Sequence, residues 1–291
     1  MSRNIKKNNI MNTSNKILLF AIISFLSPFL VIQESNAHTD SLNIWRFVYE
    51  VSDVNYKERG YNDLMNLDVK SDGSSFFYSI YNEVDKTSPS FDYDVDVLLV
   101  DDSRKRGAHY KIYREAKKNE LTCTTDAPDN FFFKEENINI QWNIIDKDTM
   151  TVCGYPCKKA TASYAGRTWT VWFSEELPIT CGPWKLSGLP GLILSASDTE
   201  NYFKFYCVGM EQTKREPWKA SSKNCIKCTN EEYQKQLRLQ AADPVNYALR
   251  KAGLASITAE DATIMDETGK SGNALPKFDK IFMEKMPDDE K

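Results

Sequence analysis

Two histidines, seven cysteines and a scatter of carboxylates are the residues of this chain that carry chemistry. With only His38 and His109 present, a Ser-His-Asp or Cys-His nucleophile would have to be built on His109, and a zinc site of several histidines is ruled out. His109 opens a strand in Ala108-His109-Tyr110 and reads as an ordinary surface histidine. His38 has one special use: if a leader is cut after Ala37, its free amine and ring together grip copper, with His109 as the second imidazole. Cys225-Ile226-Lys227-Cys228 has thiol oxidoreductase spacing. Such a pair needs a helix N-terminus in a βαβ setting to lower one thiol's pKa, and here it follows a β-rich stretch and a polar linker, so it reads as a local disulfide. Asp92, Asp94 and Asp96 alternate like a calcium loop, but Val97 and Ser103 stand where glycine and glutamate are required. They read instead as the charged edge of a strand. Glu135-Glu136 and Glu175-Glu176 become acid/base pairs only through tertiary contacts. The inventory therefore names no catalytic residue, no metal site and no cofactor; the alternative is a thiol-redox or metal-binding protein using Cys225 and Cys228 or His38.

The elements that must position these residues begin with a leader. Lys6, Lys7 and Lys16 precede the apolar run Ile17 to Ile32, which is broken by Ser24, Ser27 and Pro28 and meets the small-residue site Ser35-Asn36-Ala37. Residues 1–37 read as a signal peptide, with Met11 an alternative start, and membrane association is expected only through that peptide before cleavage. The protein is expected in the periplasm, at the cell surface or secreted. Losing Arg3, Lys6, Lys7, Lys16 and Glu34 makes the chain more acidic than its formal charge of −4, which excludes non-specific nucleic-acid binding; Arg104-Lys105-Arg106 reads as a solvated turn. Seven cysteines in an exported chain point to disulfides with at least one thiol left over. Cys153 and Cys181 are the favoured pair, since each flanks one end of a probable hairpin.

Short strands with turn signals run from residue 42 to about 210. Ile44 to Val51 and Ser75 to Tyr81 alternate as half-buried strands, joined to their surroundings by turns such as Lys70-Ser71-Asp72-Gly73. Further strands are expected at His109 to Tyr113, Leu121 to Thr125, Phe131 to Glu136, Ile138 to Ile145, Thr149 to Tyr164 and Arg167 to Phe173, with a hairpin at Tyr164-Ala165-Gly166-Arg167. So many strands with short links predict a mainly β fold: an antiparallel meander, curved sheet or half-barrel, with C-terminal α-helices. Asn230 is expected to cap one helix, and Asp243-Pro244 to open a second that stops near Gly253. The division expected is 1–37 signal peptide, 38–212 β-rich domain and 213–291 helical, partly disordered extension.

Ile140-Gln141-Trp142, Cys153-Gly154-Tyr155-Pro156-Cys157-Lys158-Lys159-Ala160-Thr161, Gly166-Arg167-Thr168-Trp169-Thr170-Val171-Trp172, Gly182-Pro183-Trp184-Lys185 and Gly188-Leu189-Pro190-Gly191-Leu192-Ile193 follow one another in the order of a known family. In these segments, about 60 residues in all, the chain resembles the GLPGLI family of secreted Gram-negative proteins. The resemblance implies export, a β-rich domain and similarity to a bowl-shaped accessory domain found beside some secreted glycan-cleaving enzymes; it carries over no catalytic residue. Relatives more often have a small polar or acidic residue where Cys181 stands, which implies a disulfide particular to this chain.

Within the signature, Pro190-Gly191 is expected to turn the chain into a buried strand at Leu192-Ile193-Leu194. Arg167, Trp184 and Lys185 are the candidate ligand-binding residues, because aromatic and basic groups beside a tight loop bind polar ligands. The functional expectation is a non-catalytic envelope protein that binds another protein, a peptide, a glycan or a lipid-like ligand.

Overall fold

The computed structural model describes residues 42–55, 62–84, 107–126, 129–215, 218–251, 253, 264–265, 271–272 and 282–286. The leader, His38, Asp92, Asp94, Asp96 and Arg104-Lys105-Arg106 lie outside them. Among the described residues no helix is long and apolar enough to cross a membrane.

The predicted β fold is present. The first group of strands is β1 (Leu42–Asp53), β2 (Asp63–Val69), β3 (Ser75–Ser79), β4 (Tyr110–Glu115), β5 (Glu120–Thr125) and β6 (Phe131–Glu136). The second is β7 (Asn143–Val152), β8 (Tyr155–Tyr164), β9 (Arg167–Ser174), β10 (Leu192–Asp198) and β11 (Phe203–Arg215), followed by the short β12 (Ile226–Lys227). The sheet order is β12-β6-β5-β4-β3-β2-β1-β11-β10-β9-β8-β7. This is two antiparallel meanders laid side by side and joined where β1 pairs with β11, from Leu42↔Arg215 to Asp53↔Phe203. The sheet is open, ending at β7 on one side and at β12, which runs parallel to β6, on the other.

Burial follows strand alternation. Phe47, Tyr49 and Val51 of β1 point into the core while Glu50 is exposed. Leu121 and Cys123 of β5 and Leu192, Ile193 and Leu194 of β10 belong to that same core although five strands separate them in the sheet, so the sheet bends around it. The Tyr49 hydroxyl donates to the Ile193 carbonyl at 2.6 Å, tying the seam strand to β10.

Turn chemistry explains the hairpins and corrects one of them. Gly73 has φ +83°, and Ala165 and Gly166 have φ +53° and +74°, as the two expected turns require. The single strand expected from Thr149 to Tyr164 is instead folded back at Cys153-Gly154, where φ is +50° and +82°. Ile138 to Trp142 are irregular and β7 starts only at Asn143. The signature strand begins at Leu192 as expected, but the glycine roles differ. Gly188 carries the positive φ of +95°. A Cβ on Gly191 would lie 2.1 Å from the Ser174 carbonyl oxygen, so that glycine serves close backbone approach.

Helix α2 (Asn230–Ala242) is capped by Thr229 rather than by Asn230: the Thr229 side chain accepts from the Glu232 amide, and the Glu232 side chain accepts from the Thr229 amide. Helix α3 (Pro244–Lys251) opens as predicted, with Asp243 Oδ1 accepting from the Asn246 amide at 3.1 Å. The boundary expected at 212/213 falls inside β11, and Tyr233 of α2 stacks on Phe133 of β6 at 5.1 Å. The helical segment is thus packed onto the sheet. The remaining described elements are a short helix α1 (Tyr81–Val84), a 3-10 turn at Ala116–Lys118 and the paired β13 (Ile264–Met265) and β14 (Ser271–Gly272).

Candidate functional site

The inner face of the bent sheet holds a cavity of about 320 Å³. Its floor is apolar: Val51, Ile112, Cys123, Phe133 and Phe203 come from β1, β4, β5, β6 and β11. Asp53, Asn55, Asp63 and His109 form a polar end. Trp184 and Lys185 form the other, under Tyr233, Gln234, Leu237 and Gln240 of α2 and the segment 282–284.

At the polar end, Asp63 is buried, and it accepts from the Ala108 amide at 2.6 Å and the Ser79 hydroxyl at 2.7 Å. Burial raises its pKa above the ordinary carboxylate value, and those two donors offset only part of the effect. Gly107 permits this packing, since a Cβ there would come within 1.6 Å of Ser79 Oγ. His109 Nδ1 meets Asp126 Oδ1 at 2.9 Å at the half-exposed rim, so the histidine is a surface residue that also borders the cavity.

At the basic end the β9–β10 connection crosses to the opposite meander. Arg114 of β4 donates to the Lys185 carbonyl at 3.0 Å, and Trp142 Nε1 to the Ser187 carbonyl at 2.8 Å. Trp184 has φ +53°, costly for a bulky residue, and it is held by ring contacts to Trp169 at 5.5 Å and Tyr164 at 5.7 Å. Lys185 is 2% exposed and forms ion pairs with Glu135 and Glu284. Burial pulls its pKa down, but Glu284, Cys123 and Glu135 outweigh that and leave it raised, so the ammonium stays charged. Glu135 has a raised pKa because burial, with Glu284 adding to it, exceeds the help from Lys185. One cation between two carboxylates leaves an excess of negative charge, and Glu135 is placed to take up a proton.

The candidate residues Arg167, Trp184 and Lys185 are therefore all buried, and they do not form one surface site. Trp184 and Lys185 line the cavity; Arg167 does not. The Arg167 guanidinium is taken up by Asp198 Oδ2 at 2.9 Å, by Glu200 Oε2 at 2.7 Å and by the carbonyls of Phe282 and Met283. Spacing in the sequence does not reveal these partnerships, since Glu135 and Glu284 lie 50 and 99 residues from Lys185. Asp63 carries no local signal, since its strand also holds Asn66 and Asp68.

The cysteines carry no disulfide, and all seven are free thiols. The expected Cys153–Cys181 bridge is not formed. Cys153 Sγ donates to the Cys207 carbonyl at 2.9 Å, whereas Cys181 is buried beside Arg114 and Ser75. Burial pushes the Cys123, Cys181 and Cys207 thiols up to about 12 and Cys157 to about 11. Cys228 is also raised, by burial and by Glu232, which is the opposite of what a redox nucleophile requires. Among the described residues no cluster of three or more His, Cys, Asp or Glu is placed to hold a metal.

Residues 109–234, from the start of β4 into α2 and less than half of the chain, match the family described as N-glycanase peptide, N-terminal domain. Two solved structures of PNGF-II, in space groups P21 and C2, resemble the chain at 14% identity, with TM-scores of 0.46 and 0.45. In each case 66% of this chain and 32% of the other is covered, so the chain spans about a third of the length of those structures. No curated protein matches it.

Proposed function

We propose that this chain is an exported, non-catalytic binding module of the GLPGLI kind, acting in the periplasm or at the cell surface, whose inner cavity takes a glycan. The observation that carries the reading is the composition of the cavity wall. Aromatic rings of Phe133, Trp184 and Tyr233 and polar groups of Asn55, Asp63, Gln234 and Gln240 line one space of about 320 Å³. Small-ligand sites run from roughly 300 to 1,000 Å³ and combine apolar walls with a few oriented polar groups. Sugars need that combination, a ring to cover their C–H face and amides or carboxylates to meet their hydroxyls. The match to the N-terminal domain of an N-glycanase family supports a carbohydrate setting. Burial raises the thiol pKa values, which disfavours nucleophilic chemistry at the cysteines.

The test is a glycan array followed by calorimetry on the full chain. Asn55→Ala and Gln240→Ala, which leave the core intact, are each expected to weaken the retained glycan about fivefold to tenfold, as loss of one hydrogen bond does. Retention of no glycan at millimolar concentration, or affinities unchanged in both variants, would refute the reading and favour an envelope protein or peptide as the ligand.

A further inference from the structure

The segment Phe282–Met286 lies against the inner face, and the domain reads its backbone residue by residue. Arg167 Nη2 donates to the Phe282 carbonyl at 2.6 Å and Nε to the Met283 carbonyl at 3.1 Å. Arg238 Nη2 donates to the Glu284 carbonyl at 2.9 Å, and the Lys285 amide donates to the Ala165 carbonyl at 3.0 Å. Side chains are read as well. The Phe282 ring sits 4.3 Å from the Arg238 guanidinium, and Glu284 receives Lys185 together with Asn230 Nδ2 at 2.7 Å. Lys285 pairs with Glu200 at 3.0 Å. Gly166 makes room for the segment, since a Cβ there would lie 2.6 Å from Lys285 Cβ. Four consecutive residues with backbone groups satisfied by side chains and a turn of another region, and a glycine cleared for them, are the features of a peptide site.

We propose that this surface is a docking site for a short, bent peptide, occupied in cis by the chain's own Phe282–Met286 and open in trans to a partner segment of the same chemistry. That segment carries an aromatic residue, a carboxylate two positions later and a basic residue next. Phe282, Met283 and Glu284 also form part of the cavity wall, so exchange of the segment changes access to the cavity. The proposal holds whether or not the cavity takes a glycan.

The probe is a fluorescein-labelled synthetic peptide of residues 280–288, added to the full chain and to the full chain bearing Phe282→Ala and Glu284→Ala. The doubly substituted chain is expected to bind the peptide at least tenfold more tightly than the native chain, because its own segment competes less. A peptide carrying Glu284→Gln should bind that chain at least tenfold more weakly. In the native chain, millimolar peptide should speed deuterium exchange at the Lys285 amide several-fold. Equal binding to both chains, indifference to Glu284→Gln, or an unchanged Lys285 amide under saturating peptide would each overturn the proposal; the exchange measurement stands even if the substituted chain does not fold.

A separate observation concerns Cys153. It occupies the strained β7–β8 turn, half-buried, with its sulfur 2.9 Å from the Cys207 carbonyl oxygen. The Cys207 thiol is also within hydrogen-bonding reach of it. We infer that oxidation joins Cys153 to Cys207, stapling the β7–β8 turn to the seam strand β11. Two S–H bonds break and one S–S bond forms; the two electrons and two protons pass by thiol–disulfide exchange to a disulfide oxidant such as oxidised glutathione, which leaves as two thiols. Peptide mapping without reduction, after exposure to oxidised glutathione, should yield a 153–207 crosslink, absent in Cys153→Ser. Full alkylation of both thiols after that treatment, or a crosslink of Cys153 to Cys157 or Cys181, would overturn it.

Discussion

Arg167 and Lys185 are both buried cations that meet two carboxylates and both hold the segment 282–286, yet they differ in kind. Around Arg167 the planar guanidinium uses its fork on Asp198, Glu200 and two carbonyls, and Asp198 also accepts from the Phe203 amide at 2.9 Å. Arg167 itself does not line the cavity. Around Lys185 the point charge sits between Glu135 and Glu284 on the cavity wall, and burial holds the Glu135 carboxyl above its ordinary pKa. A saturated cation fixes structure, while one whose partners can change protonation leaves room for a ligand or for pH to act.

The largest effect expected from this contrast is at Arg167. Arg167→Met strands Asp198, which is 2% exposed, and should cost about 3–5 kcal/mol in urea unfolding at neutral pH. Lys185→Met should cost less, about 1–3 kcal/mol, because Glu135 relieves the excess charge by taking a proton. The two variants should therefore differ in pH dependence. A carboxyl whose folded pKa is raised contributes stability that is fully present below its ordinary value, 4.5 for Glu135, and lost as pH rises through the folded value. Removing Lys185 raises that folded value further, so unfolding midpoints of Lys185→Met should recover toward native on acidification from neutral pH. If its deficit is as insensitive to pH as that of Arg167→Met, the distinction between the two sites collapses.

Smaller effects sharpen the comparison. Arg238→Gln removes the hydrogen bond to the Glu284 carbonyl, those to Gln234 and the ring contact with Phe282, at about 1–2 kcal/mol by thermal unfolding. Glu200 has its pKa lowered, first by its hydrogen bond to Lys285, so its contribution is present above the ordinary 4.5 and lost as pH falls through the folded value. Its side chain is 41% exposed, so solvent screens the pair and Glu200→Gln should change stability by no more than a few tenths of a kcal/mol. A loss comparable to that of Arg167→Met would place Glu200 in the buried network.

Local signals explain what was legible. Alternation at Phe47, Tyr49 and Val51 and turn residues at Gly73 and Gly166 act over a few positions, and the two meanders are built from such neighbours. Trp184 and Lys185 were found because they adjoin the signature. Their use was not legible, because burial of Lys185 depends on Glu135 and Glu284, which only the bent sheet and the segment 282–286 bring to it. The same holds for the thiols: Cys153 and Cys181 flank a hairpin in sequence, but a two-residue turn at Cys153-Gly154 aims the first at Cys207.

The seam between the meanders sets an order of events in folding. Each hairpin from β1 to β6, apart from the β3–β4 link, and each from β7 to β11, apart from the β9–β10 link, closes a short loop, at small entropic cost. The pairing of Leu42 with Arg215 joins residues from opposite ends of the sheet's chain path, and it requires both meanders to be present. Closing that seam is the long-range step expected to limit the folding rate, and until it closes the facing edges of β1 and β11 stand unpaired and open to association with another copy.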